Sequence, residues 1–127
     1  MTIVRYGSGG PFEDTYGYSR VVKAGPFLCT AGCTSIVDGK VAHVDDAAAQ
    51  AREAFGIALA ALAGAGASIG DVVRTRMFVT PAADVDAVGR AHGEIFGAVR
   101  PAAALYIIAG FVLPELLVEV EVEAYVP

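Results

Sequence analysis

Three glutamates alternate with valines in the stretch LLVEVEVEAYV, residues 116–126. Successive side chains of a strand point to opposite faces, so Glu119, Glu121 and Glu123 share one face and Val118, Val120 and Val122 the other. Like charges at every second position repel, and the pattern has two readings. It is the wet side of a half-buried sheet, or one of the carboxylates sits in a pocket. A carboxylate beside a small electrophile can orient a water and manage its protons. Tyr18, His92, His43, Cys29, Cys33 and the arginines at 20, 74, 76 and 100 are the other side chains with chemical reach.

Each of these has a bland reading beside the chemical one. Cys29 and Cys33 in one extended segment would share a face, too far apart along the strand for a routine disulfide. No nearby His/Cys set completes a metal site, so no metal is expected and both thiols read as reduced and structural. A nucleophilic Cys33 would need an activating base, and none is identifiable. His92 lies on an apolar helical face, where a hydrogen-bonded core histidine is the usual finding and pocket lining or acid/base work the alternative. His43 reads as a surface residue just past a hairpin. Arg74 and Arg76 share a strand face and are expected to pair with acids.

The elements that must position these residues are legible. RYGSGGPFED reads as a loop, because it lacks the Lys-Ser/Thr ending of a phosphate loop. YSRVVKAGPFLCTAGCTSIVDGKVAHV reads as strands, with a turn at 24–26 and a hairpin at Asp38-Gly39. DDAAAQAREAFGIALAALAGAGA is a helix, capped by Asp45 or Asp46 and stopped near Gly64 and Gly66. Its buried face is Ala51, Phe55, Ala58 and Leu62. DVVRTRMFVT is a strand with Val73, Thr75, Met77 and Val79 on one side and Val72, Arg74, Arg76 and Phe78 on the other. DVDAVGRAHGEIFGAV is a second helix with Val85, Val88, His92 and Ile95 on one face. AAALYIIAGF and LLVEVEVEAYV are the last strands. Strand–helix–strand units imply right-handed crossovers between parallel neighbours. Both helices should therefore lie on one face of a mixed sheet, the other face being left for a partner subunit.

A chain of 127 residues suits one domain, 1–127. Its 55% hydrophobic and 18% charged residues exceed what so small a monomer hides, so a buried subunit interface is expected. A net charge of −5 with scattered basic residues argues against a nucleic-acid partner. No apolar run approaches a membrane span, and MTIVRYGSGG has no signal-type apolar region, so a cytoplasmic protein is expected.

The segments GYSRVVKAG, FLCTAGCTS, AAAQAREAFGIALAALAGAGASIGDVVRTRMFVT, VGRAHGEIFGAVRPAAAL and LPELLVEVEVEA, in this order and spacing, resemble the RidA/YjgF family, often labelled endoribonuclease L-PSP. The resemblance implies an α+β, chorismate-mutase-like fold: a mixed sheet with two helices on one face, in a homotrimer whose sheets form a central barrel. It implies a pocket at each subunit interface and hydrolysis of reactive imines or enamines, such as 2-iminopropanoate, without cofactor or metal. Tyr18 matches the family's pocket tyrosine, and Cys33 neighbours a pocket-forming segment. The family's LVEIE aligns best with 117–121 and makes Glu119 the water-orienting glutamate. Sliding the match to EVEA chooses Glu121 instead. His92 stands where many members have tyrosine, as in an arginine-lacking branch.

One position departs from the pattern. The arginine that binds the substrate carboxylate falls at Ala103. A lost charge-assisted bidentate pair is worth a few kcal/mol, so rate or affinity for an imino acid should fall roughly a hundredfold. Arg100, Arg74, Arg76 and Arg20 are possible substitutes. The chain is then expected to hydrolyse an imine, enamine or related activated small molecule other than a 2-imino acid. The alternative is a trimer that binds a metabolite in the same pocket without turnover. A nuclease, suggested only by the family's label, is disfavoured by the acidic charge and the lack of a metal or His pair.

Overall fold

A computed structural model describes residues 2–127 and has an α+β architecture. In chain order its elements are β1 (Ile3–Tyr6), a short helix α1 (Glu13–Tyr16), β2 (Val21–Ala24), β3 (Phe27–Thr30), β4 (Cys33–Thr34), β5 (Ile36–Val37) and β6 (Lys40–Val41). Then follow α2 (Ala47–Gly64), β7 (Val72–Val79), α3 (Val85–Phe96), β8 (Ala102–Ile107) and β9 (Val118–Tyr125). The main sheet runs β1-β2-β3-β9-β7-β8, with β4 also pairing β9, while β5 and β6 form a separate ribbon.

Local chemistry explains most boundaries. Asp38 and Gly39 both take positive φ, 52° and 78°, which is the two-residue turn that joins β5 to β6. Asp46, not Asp45, caps α2: its carboxylate accepts from the Ala49 N–H at 3.0 Å. Gly66, at φ 95°, lets the chain turn back so that the Ala67 N–H reaches Leu62 O, closing the helix end. Ala51, Phe55, Ala58 and Leu62 are fully buried against Val118, Val120 and Val122 of β9. The alanines in that stripe allow a close approach of helix to sheet, and α2 and α3 pack together on this one face.

Several expectations are corrected. β9 lies between β3 and β7, so the crossover through α2 does not land on a hydrogen-bonded neighbour; only β7 and β8 are adjacent and parallel. β7 carries a bulge at its start that turns Val72 into the core and leaves Val73 46% exposed, the reverse of strict alternation. On α3 the buried residues are Val88, Ala91 and Phe96, while Val85 is 40% exposed. β8 ends at Ile107, short of the predicted stretch.

The largest correction concerns the cysteines. Cys29 pairs with Glu123, but Cys33 pairs with Val120. Four residue steps on one strand thus face three on β9, a one-residue bulge around Ala31 and Gly32. One extra residue reverses the faces. Cys33 enters the core, 1% exposed, while Cys29 stays on the glutamate face, and the two do not share a side. Inside the bulge the Val122 N–H donates to Thr30 Oγ1 at 3.1 Å.

Candidate functional site

The face of the sheet away from the helices is built in rows. Thr34, Glu119, Phe78 and Tyr106 lie side by side across β4, β9, β7 and β8. The next row holds Glu121, Arg76 and Ala104, and the one after it Glu123, Arg74 and Ala102. Phe78 stacks on Tyr106 with ring centroids 5.6 Å apart. Arg76 donates to Glu123 at 2.7 Å and lies 3.9 Å from Glu121, and Arg74 reaches Glu123 at 4.0 Å. Two of the three glutamates are therefore neutralised by the strand beside them.

Glu119 is different. Among the described residues no cation lies within ion-pair distance of it and no protein donor reaches its carboxylate. It folds back over Gly32, where a Cβ would stand 2.7 Å from its Cδ. Only a glycine at the bulge leaves that seat open. Burial pushes the Glu119 carboxyl above the usual carboxylate range, the charge of Glu121 adds to this, and Arg20 opposes it.

A pH titration of Glu119 followed by carboxyl-carbon NMR should therefore show a raised midpoint. Glu121→Gln should lower it by removing a like charge, and Arg20→Gln should raise it further. The sign for stability follows. A carboxyl whose folded pKa exceeds its unfolded one loses stability as pH rises between the two. Glu119→Gln should thus match the wild type in acid and exceed it above the folded midpoint. A Glu119 that titrates like an exposed glutamate would put its carboxylate in open water.

Arg20 and Tyr18 come from the turn before β2. Arg20 Nη1 donates to Gly32 O at 2.7 Å and to Cys33 Sγ at 3.6 Å, and its guanidinium lies 5.7 Å from the Tyr18 ring centroid. Burial raises the Cys33 thiol, with Arg20 pulling the other way, so the thiol stays protonated at neutral pH. Tyr18 is held by its N–H on Glu13 O at 3.0 Å. Glu13 is itself wrapped by the glycine-rich opening. Its carboxylate accepts from Ser8 N–H at 3.0 Å, Ser8 Oγ at 2.5 Å and Gly10 N–H at 3.2 Å, which holds its carboxyl below the usual range. GSGG is thus a cradle for a side chain of the same protein. Sequence reasoning missed Glu13, Gly32 and the placement of Arg20. The glycines three to six residues before a glutamate were the one available signal.

His92 is on the other side of the sheet. Its Nε2 hydrogen-bonds Thr75 Oγ1 at 2.8 Å, and its ring packs on Phe55 and Phe96 with centroids 5.6 and 4.8 Å away. Burial holds its pKa below the ordinary histidine value, so it is neutral at pH 7. Ala103 pairs with Thr75 on the exposed strand β8, on the same side as His92. One open recess of about 600 Å³ includes Tyr18, Cys29 and Ala31, and another of about 360 Å³ includes His92, Phe96 and Arg100. Glu119 lines neither. Tyr18, Cys33 and Glu119 are gathered around Arg20 and Gly32, Glu121 adjoins them, and His92 with Ala103 stands apart. His43 is a surface residue 3.3 Å from Glu53. Among the described residues no three His, Cys, Asp or Glu side chains cluster as metal ligands would, and no helix is long and apolar enough to cross a membrane.

Comparison with known proteins agrees with this architecture. The family model described as endoribonuclease L-PSP matches residues 12–126. An uncharacterized protein of Streptomyces coelicolor is 43% identical over 121 residues, 95% of this chain and 90% of that protein. The 3-aminoacrylate deaminase RutC of Acinetobacter baylyi is 32% identical over 110 residues, 86% of each. The crystal structure of Rv2704 from Mycobacterium tuberculosis, a member of the YjgF/YER057c/UK114 family, superposes with a TM-score of 0.88 at 40% identity, covering 98% of this chain and all of that one.

Proposed function

The chain belongs to the YjgF/RidA family, the endoribonuclease L-PSP family of the matching model, and from that membership we propose that it hydrolyses a small imine, enamine or related activated molecule at a subunit-interface pocket. Glu119 orients the attacking water, and no cofactor is needed. One observation carries this: of three glutamates on one strand face, Glu119 alone has no arginine within ion-pair distance, and it is half-buried over a glycine. A carboxylate with both oxygens free of protein donors can accept from a water and take its proton as the water adds to the C=N carbon. The product carbinolamine then collapses to a carbonyl and ammonia. The relative named as a 3-aminoacrylate deaminase gives this reaction class a precedent.

The pocket belongs to a homotrimer with a central barrel. Glu119 and Tyr18 lie on one part of the protomer, Ala103 and His92 on another, so only a second subunit brings them together. Among the described residues the outer edge of β8 has no strand partner, and Ile107 at its end and Val112 beyond it are 65% and 98% exposed, a surface that invites cover. The two free thiols suit a reducing, cytoplasmic setting.

Ala103 offers a methyl group where a carboxylate anchor would stand. Ammonia release from 2-iminopropanoate, generated in situ by an amino-acid oxidase, should run roughly a hundredfold below that of an arginine-bearing family member. A panel of other imines and enamines should contain one whose hydrolysis is accelerated and depends on Glu119, by a protein that light scattering places at about three times 13.0 kDa. A stable monomer would sink the interface pocket. Glu119-dependent binding across the panel with no ammonia release would favour the second reading, a metabolite-binding trimer.

A further inference from the structure

We infer that Arg20 anchors an anionic group of the ligand, beside Glu119 and not across from it on β8. This role rests on the interface-pocket reading above and adds the chemistry of what the pocket takes: a small molecule that carries a carboxylate. A guanidinium has five N–H donors in a planar fork. Arg20 spends Nη1 on Gly32 O and Cys33 Sγ. Among the described residues Nε and Nη2 donate to nothing, and no carboxylate lies within ion-pair distance.

The other arginines show how unusual this is. Arg52, Arg74, Arg76 and Arg90 each hold an acid of this chain. Arg5 and Arg100 hold none and are exposed. Arg20 is half-buried, in a chain with 14 acidic residues to choose from. Glu119 and Glu13 feel its charge through space but lie beyond ion-pair distance, so no acid of the protomer occupies the free edge of the fork.

The fork is also held still. The Arg20 N–H donates to Tyr6 O and its carbonyl accepts from Ala31 N–H, both at 2.9 Å. The Tyr18 ring flanks the guanidinium, and Gly32 O fixes one nitrogen. A rigid fork with one free edge is the geometry that recognises a carboxylate. Gly32 links the two halves, since its carbonyl holds Arg20 while its bare Cα seats Glu119. The expectation for 2-iminopropanoate is unchanged. A carboxylate held by Arg20 lies on the same wall as Glu119, so an electrophilic carbon bonded directly to it is not turned toward the water as an anchor across on β8 would turn it, whereas a carbon further along the ligand is.

Malonamate and malonamide test this, because they have the same heavy-atom skeleton and differ in one charge. Titration calorimetry on the assembled wild type should show malonamate binding at least tenfold more tightly than malonamide. Arg20→Gln should abolish that preference, and Arg20→Lys, which keeps the charge and loses the fork, should retain part of it. Equal affinity of the two probes for the wild type, or a preference that survives Arg20→Gln, would overturn the assignment. So would dissociation of both variants in light scattering, which would make Arg20 an interface cation paired with an acid of another copy. The hydrolase reading stands or falls separately. An Arg20-dependent preference with no ammonia release from any imine keeps the anion anchor and removes the catalysis.

Discussion

Gly32→Ala is expected to unseat Glu119 and to abolish turnover while the protein stays folded. The added methyl would stand 2.7 Å from Glu119 Cδ and 3.3 Å from Cγ. Carbon atoms do not approach so closely, so one side must move. What moves is the far end of a flexible side chain, which can swing out to water. Gly32 does not have a positive φ, so the backbone accepts alanine without strain. The change in stability should stay within about 1 kcal/mol. Losing the general base proposed above should lower the rate by roughly a hundredfold to ten-thousandfold, and Glu119→Gln should do the same. Carboxyl-carbon NMR gives a readout that needs no substrate: in Gly32→Ala the raised Glu119 midpoint should return toward that of an exposed glutamate. A variant that keeps both the raised midpoint and full activity would show that Gly32 does not hold the seat.

Gln50→Leu is expected to cost about 3 to 5 kcal/mol of folding stability, the largest loss from a single polar side chain here. Gln50 is fully buried in α2. Its Nε2 donates to His43 O at 3.1 Å and to Glu115 O at 3.0 Å, and its Oε1 accepts from Leu117 N–H at 2.8 Å. Leucine fills the same volume and leaves Glu115 O and the Leu117 N–H without partners, while His43 O keeps the Asp46 N–H at 3.1 Å. Urea unfolding at a fixed protein concentration measures this, since assembly makes stability depend on concentration. Arg90→Ala is the control. It breaks an exposed ion pair with Asp86, 2.8 Å long, that should be worth under about 1 kcal/mol. The consequence reaches the site as well, because Leu117 stands two residues before Glu119. Loosening the start of β9 loosens the strand that carries the carboxylate, so ligand affinity should fall along with stability.

Sequence by itself determined the elements and the family. The period of two in VEVEVE, the helical spacing of Ala51, Phe55, Ala58 and Leu62, and the Asp38-Gly39 turn are short-range facts. Each is enforced by backbone geometry within a few residues, and each appears in the structure as read. What only tertiary structure decided is which glutamate stands alone. Arg76 reaches Glu123 across 47 residues of chain, and nothing local says that β9 will lie beside β7. The bulge at Ala31 and Gly32 is of the same kind. One unpaired residue put Cys33 and Cys29 on opposite faces and opened the seat beneath Glu119, and strict alternation hid both. His92 could be placed on a helix face from its spacing, but its Thr75 partner, on the far side of the sheet from Glu119, followed only from how α3 docks. Register and docking are long-range pairings, settled by whichever arrangement buries the valines of β9 and leaves the fewest charges without partners.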